Sequence, residues 1–225
     1  AVALALAGAG YRVTATGRDR AALAHLSQAS LSRGTGIETL PLDLDAPDTL
    51  AARLDGLSPD ILVCNAATMP PPGPFDALTP AQIAQAVTVN LTAALLLTRH
   101  LLPAMRRRGD GHLVFVSSTA AHAPAPGAAL YGATKAALGS FAQSLRAELA
   151  PDGIRVTEIV PGRVETALYR AVLGDQARAN LYAGAPVVQP DDIAAMLLAV
   201  LALPRTTNVS RFDILPTYPV PPLQP

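Results

Sequence analysis

The chain changes its hydrophobic period repeatedly: short runs that read as strands alternate with longer stretches that read as helices. This alternation limits the fold more than any other feature. Strands separated by a helix lie parallel, and the crossover helix covers a face of their sheet. The strand-like runs are Tyr11 to Thr16, Ile37 to Leu42, Ile61 to Cys64, His112 to Val116, Ile154 to Val160 and Phe212 to Leu215. Ile61 to Cys64 is apolar throughout, as expected of a strand covered on both faces. Helices are expected over Ala1 to Ala9, closed by Gly10, and from an Asp19 cap to about Ser30. Others are expected over Pro47 to Leu54, from a Thr79 cap with Pro80 at the first helical position to about Arg108, over Leu130 to Ala150, and over Asp191 to Leu203. The pattern predicts an α/β fold with a parallel sheet flanked by helices. It spans residues 1–225 as a single domain, with a proline-rich tail from Pro216 to Pro225.

Composition removes several classes of function. Half the residues are hydrophobic and 15% are charged, which excludes a disordered chain. Seventeen basic side chains balance seventeen acidic ones, so the basic field that nucleic acid or anionic lipid requires is missing. The single cysteine, Cys64, excludes a disulfide framework and a multi-thiolate metal site, and it suits a reducing, cytoplasmic setting. His25, His100, His112 and His122 are scattered, so no metal is expected. The longest apolar run, Ile193 to Leu203, is shorter than the roughly 20 residues a bilayer requires, and no membrane span is expected. Ala1 to Ala9 resembles the core of a signal peptide but has no basic segment before it.

Tyr131 and Lys135 carry the first chemical signal. They lie in Tyr-Gly-Ala-Thr-Lys, one turn apart on one face of an expected helix. A free tyrosine has a pKa of about 10, so about one in a thousand is ionised at pH 7. A neighbouring ammonium favours the phenolate and brings the phenol closer to use as an acid or base. Ser118 follows the strand His112 to Val116, and the carboxyl end of a strand in an open α/β sheet faces the ligand crevice. Asn90 stands in Thr-Val-Asn-Leu within a long helix, where a polar residue among apolar ones lowers helix propensity. Bland readings exist for each: a solvated Tyr and Lys, a turn serine, an asparagine bonded to its own helix.

Taken together, these residues resemble the short-chain dehydrogenase/reductase family, whose Asn, Ser, Tyr, Lys tetrad maps onto Asn90, Ser118, Tyr131 and Lys135. Cys64-Asn65-Ala66-Ala67 is similar to the family's NNAG, departing at the first Asn and the final Gly. Pro161-Gly162, with Val164 and Thr166, resembles its PG motif and nicotinamide-binding Thr. Asp43, beside Leu44, matches the acidic residue that meets the adenine. The resemblance runs from Ala1 to about Pro216 and implies a Rossmann-like, doubly wound parallel sheet. It also implies hydride transfer between a nicotinamide cofactor and a small carbonyl or hydroxy substrate. In that scheme Tyr131 is the general acid or base and Ser118 holds the substrate oxygen. Lys135 binds the ribose and lowers the tyrosine pKa, and Asn90 supports a relay water. Cofactor contacts fall to Arg18, Asp43, Leu44, Asn65, Ala66, Ala67, Tyr131, Lys135, Pro161, Gly162, Val164 and Thr166.

Choice of cofactor turns on Thr16-Gly17-Arg18-Asp19. Gly17 stands where an NAD-type acid would be, and Arg18 can fork the 2′-phosphate of NADP. Asp19 is an unhelpful anion there unless it serves only as a helix cap. NADP is therefore the expected cofactor. The family's first strand and TGxxxGxG loop would precede Ala1. The expectation is a longer protein, against the alternative of a homologue that has lost cofactor binding and serves as an interaction module. The segment Asn208 to Thr217 resembles the branch that oxidises serine and related 3-hydroxy acids, with a 3-oxoacyl thioester reductase or general ketone reductase as alternatives. Arg170 and Arg178, in the segment expected to cover the substrate, are candidate carboxylate ligands. Small and apolar residues ring the helix from Pro80 and the helix bearing Tyr131. In the family these two helices meet their symmetry copies, which implies a homodimer or homotetramer.

Overall fold

Strand β1 (Val13–Gly17) pairs in parallel with β2 (Ile37–Pro41), and Gly17 stands opposite Pro41. A second parallel sheet has the order β3 (Ile61–Cys64), β4 (Gly111–Val116), β5 (Ile154–Pro161), β6 (Arg211–Ile214). The computed structural model describes residues 1–123, 125–169, 172–175, 179, 182 and 187–218. Among them β1 and β3 are not paired with each other. β3 is thus an edge strand with β4 on one side only. Ile61, Leu62 and Val63 are half-buried and Cys64 is buried. As expected, both faces of the strand are covered, Ile61 and Val63 packing on the α1 side and Leu62 on the α5 side, and the unpaired edge accounts for the partial exposure.

The helices follow their caps. α1 covers Val2–Gly8, and Gly10 turns the chain out of it at a φ of 88°, where an L side chain is strained. α2 (Arg20–Leu31) begins at Asp19, whose carboxylate accepts from the amides of Ala21 and Ala22 at 2.9 and 3.0 Å. After the short α3 (Leu50–Leu54), Thr79 and Gln82 close a reciprocal capping box at the start of α4 (Pro80–Val87). The long helix expected here is continuous but not uniform. A π turn, Thr88–Thr92, widens it before α5 (Ala93–Arg108). α6 covers Ala129–Leu149 and α7 covers Pro190–Leu201.

Both faces of β4 are covered, and all six of its residues are buried. Leu113 and Phe115 meet Met105 of α5 and Leu138, Ala142 and Leu149 of α6. Val114 and Val116 face the other way, onto Leu6 of α1 and Ile193, Leu197 and Leu201 of α7. Burying a large aliphatic side chain stabilises by roughly 1.5–3 kcal/mol, so this strand anchors both layers. Pro80–Arg108 is long and apolar enough to cross a bilayer by length and composition. Its inner face, with Ala93, Leu101 and Met105, is buried in the protein.

One polar residue departs from this apolar strand. His112 is 1% exposed, and its Nε2 lies 2.8 Å from Thr157 Oγ1. The Thr157 hydroxyl proton is directed to the carbonyl of Val209 at 2.7 Å, so the histidine donates through Nε2. Nδ1 is buried without a partner among the described residues. Burial drives the imidazole pKa down to about 4. Free histidine titrates near 6.5, so between about pH 6.5 and 4 the unfolded chain takes up a proton that the folded chain refuses. The His112 contribution to stability should be flat above that window and fall by about 3 kcal/mol across it. Urea unfolding at a series of pH values measures this loss, and His112→Gln should remove most of it.

Candidate active site

Every strand described above is parallel to its neighbour, so the loops leaving their carboxyl ends gather at one edge of each sheet. Ser118 leaves β4 there in extended conformation and caps the 3₁₀ turn Thr119–Ala121, its Oγ accepting from the Ala120 amide at 3.2 Å. Tyr131 stands in the first turn of α6, with its hydroxyl near enough to that of Ser118 for the serine to favour the phenolate. Lys135, one turn on, is 2% exposed. Its Nζ donates to the carbonyl of Val116 at 2.8 Å and lies 5.8 Å from the centre of the Tyr131 ring. Gly132 allows this approach, because a Cβ there would fall 2.9 Å from the Ala120 carbonyl oxygen.

Asn90 occupies the π turn and is 1% exposed. It does not bond its own helix. Its Nδ2 donates to the Thr68 carbonyl at 2.8 Å and to Thr134 Oγ1 at 3.1 Å, while Oδ1 accepts from the Thr68 amide at 2.7 Å. The amide therefore braces the loop after β3 against α6, one residue before Lys135.

The electrostatics differ from the sequence expectation. Burial is the largest influence on Tyr131, with the nearby Tyr169 adding to it, and together they push the phenol up to about 12 despite the nearby Ser118 hydroxyl. The lowering expected from Lys135 is not among the influences on the phenol, and burial, which removes a phenolate from water, sets the direction. Lys135 itself is lowered to about 8, again by burial. Tyr131 thus keeps its proton across the physiological range.

The remaining residues sit at the same strand ends. Asn65 and Ala66 are exposed and Ala67 half-buried at the exit of β3. Pro161 ends β5. Gly162 donates its amide to Ile214, and a Cβ there would crowd Pro216 at 3.1 Å and Leu215 at 3.3 Å. Val164 bridges to Val188, and exposed Thr166 accepts from the Leu168 amide at 3.4 Å. A cleft of about 330 Å³ opens at the ends of β1 and β2, lined by Arg18, Arg20, Leu42, Asp43, Thr49 and Arg53. Leu44 turns away from it and packs beside Leu42, Leu50 and Leu54. Asp19 is engaged in its cap, which leaves the arginines as the cationic groups of this cleft. Arg20 and Arg53 escaped the sequence reading: nothing in their spacing signals that Arg53 of α3 reaches the cleft at the ends of β1 and β2.

Arg163 was missed as well. It follows Gly162 directly, is half-buried, and its guanidinium lies near enough to the Tyr169 phenol to favour the phenolate against burial. The Tyr169 ring packs edge-on to Tyr182 with centroids 6.3 Å apart. Arg170 and Arg178 lie outside the described residues. These positions fit a nicotinamide dinucleotide at its two ends. The arginine cleft suits a phosphorylated ribose, and Tyr131, Lys135 and the turn after β5 suit the reacting ring.

Comparison with known proteins agrees with this geometry. Residues 1–177 match the short chain dehydrogenase family. Serine 3-dehydrogenase of Agrobacterium fabrum is 38% identical over 213 residues, covering 92% of this chain and 84% of that protein. Sulfoacetaldehyde reductase 2 of Chromohalobacter salexigens is 31% identical over 226 residues, covering 96% and 89%. A closed serine dehydrogenase solved with NADP+ superposes with a TM-score of 0.88 at 27% identity, over 95% of this chain and 89% of that one. A parallel α/β fold with a buried lysine behind a tyrosine, matched over most of its length by these relatives, makes this chain a member of the short-chain dehydrogenase/reductase family of oxidoreductases.

Proposed function

We propose that the protein uses NADP(H) to interconvert an alcohol and a carbonyl on a small substrate that carries an acid group one carbon from the reacting centre, as in a 3-hydroxy acid. The observation behind the chemistry is the convergence of Ser118, Tyr131 and Lys135 at the end of β4. In the reductive direction Ser118 and Tyr131 hold the carbonyl oxygen between their hydroxyls. Tyr131 gives it a proton as negative charge builds, and in the oxidative direction the phenolate takes that proton back. Lys135, anchored on Val116, holds its ammonium behind the ring and favours the phenolate as it forms. Asn90 keeps the loop after β3 in place. When bound, the nicotinamide supplies or accepts the hydride.

Two arguments support the acid group. The substrates named for the relatives, serine and sulfoacetaldehyde, each bear an acid on the carbon next to the reacting one. In this chain Arg163 places a half-buried guanidinium on Tyr169, whose phenol is close enough to raise the Tyr131 pKa. A guanidinium is matched to carboxylate or sulfonate. NADPH consumption with a small 3-oxo acid and with its neutral methyl ester tests the reading. Tyr131→Phe should lower kcat by about 10²-fold or more while leaving NADPH affinity in place. Arg163→Gln should raise KM for the acid by about ten-fold and leave the ester unaffected, as expected for one charge-assisted contact. Equal use of acid and ester by the unaltered protein would exclude the acid reading, and a Tyr131→Phe variant above a tenth of the original rate would exclude the tyrosine.

Cofactor choice has its own test. Arg18→Ala and Arg53→Ala should each weaken NADPH by about ten-fold and NADH by much less, since only NADPH carries the 2′-phosphate. Isothermal calorimetry with both cofactors reads the difference, and equal losses would remove the arginines from that role.

We also infer that the protein assembles as a homodimer or homotetramer through α5 and α6. The outer face of α6 exposes the small residues Ala133, Ala136, Ser140 and Ala147, which allow a second helix to approach closely. Sedimentation velocity at micromolar concentration should show a dimer or larger, and a monomer there would overturn this inference.

A further inference from the structure

Glu158 is a buried acid in the middle of β5. It is 6% exposed and stands in register with Phe115 on one side and Arg211 on the other. The side chain enters the layer between the sheet and α6, and Gly139 makes the room: a Cβ on that residue would fall 2.6 Å from Glu158 Oε1. The same oxygen accepts from Ser117 Oγ at 2.6 Å and lies 3.6 Å from His122 Nε2. Ser117 is itself 1% exposed, and its amide donates to the Ile159 carbonyl at 2.8 Å. Arg211 forms a two-pronged contact with Asp213, at 2.7 and 2.6 Å. The buried carboxylate is therefore held chiefly from the segment that carries Ser118.

A carboxylate placed under helix and sheet is expensive to desolvate, and a packed apolar side chain would serve stability at least as well. What an apolar side chain could not do is grip both ends of the 117–122 segment from below. Ser117 is the direct neighbour of Ser118, and His122 ends the turn that Ser118 caps. We propose that Glu158 is a positioning residue that, through Ser117 and His122, fixes segment 117–122 so that the Ser118 hydroxyl meets the substrate oxygen beside Tyr131. This rests on the reading above, in which Ser118 holds that oxygen.

The experiment is a double-mutant cycle on the full protein, reading kcat, KM and NADPH affinity for Glu158→Leu, Ser118→Ala and the pair. Glu158→Leu alone should lower kcat by about ten-fold, the scale of a modest misplacement of a reacting group, with KM and NADPH affinity changed by less than about two-fold. In the Ser118→Ala background the same substitution should lower kcat by less than about two-fold, because the group it positions is gone. Glu158→Gln keeps an acceptor for Ser117 and should lose less than Glu158→Leu. Ser117→Ala, which leaves the carboxylate on His122, should show the same dependence on Ser118, and it decides the matter if Glu158→Leu does not fold. Losses that multiply in full in the Ser118→Ala background, or that fall on NADPH affinity, would overturn the proposal and leave the reading of Ser118 standing. An undiminished kcat in Ser118→Ala alone would overturn that reading, and with it this one.

Discussion

The bond from Lys135 Nζ to the carbonyl of Val116 is the contact on which the rest of the site depends. It joins the first turns of α6 to the last residue of β4, with the ammonium buried. Such a group is tolerated only where it is hydrogen-bonded, and here the partner is a strand-end carbonyl. Once that bond sets the helix against the strand, the helical period brings Tyr131 over the Ser118 turn. Gly132 permits the close approach. The arrangement is held by backbone geometry more than by side-chain packing, which suits a site that must keep its hydroxyls in fixed relation.

The π turn serves the same end from the opposite side. Widening the long helix at Thr88–Thr92 places Asn90 where its amide bonds both the loop after β3 and Thr134 of α6. Three segments far apart in sequence are thereby joined through one buried side chain. A polar group buried this deeply is stable because the bonds given for it engage its oxygen and its nitrogen. Glu158 repeats the device beneath segment 117–122, with a carboxylate in place of an amide.

Electrostatics at the tyrosine are a balance that burial wins. A phenol with a pKa near 12 holds its proton at neutral pH. A lysine lowered to about 8 remains largely charged at neutral pH and keeps its hold on the strand end. Far from this pair, Arg18, Arg20 and Arg53 concentrate positive charge in one cleft of a chain whose net charge is zero. Local clustering, not overall charge, makes that cleft suited to a phosphate.

Much of this was legible from the sequence, because it depends on neighbours along the chain. Period and caps located the helices and strands to within a residue or two. The four-residue spacing of Tyr131 and Lys135 fixed their common face, and Asp19 disclosed itself as a cap. The family motifs placed Ser118, Asn90 and the turn after β5 at one end of the parallel strands. Tertiary structure alone decided that Arg53 joins Arg18, that Asn90 braces a distant loop, and that Glu158 lies under Ser117. It also decided that burial, and not Lys135, sets the state of Tyr131. The division has a physical cause. Helical and strand periods are properties of a few consecutive residues, whereas desolvation and convergence depend on which distant segments pack together, and local periodicity does not specify that.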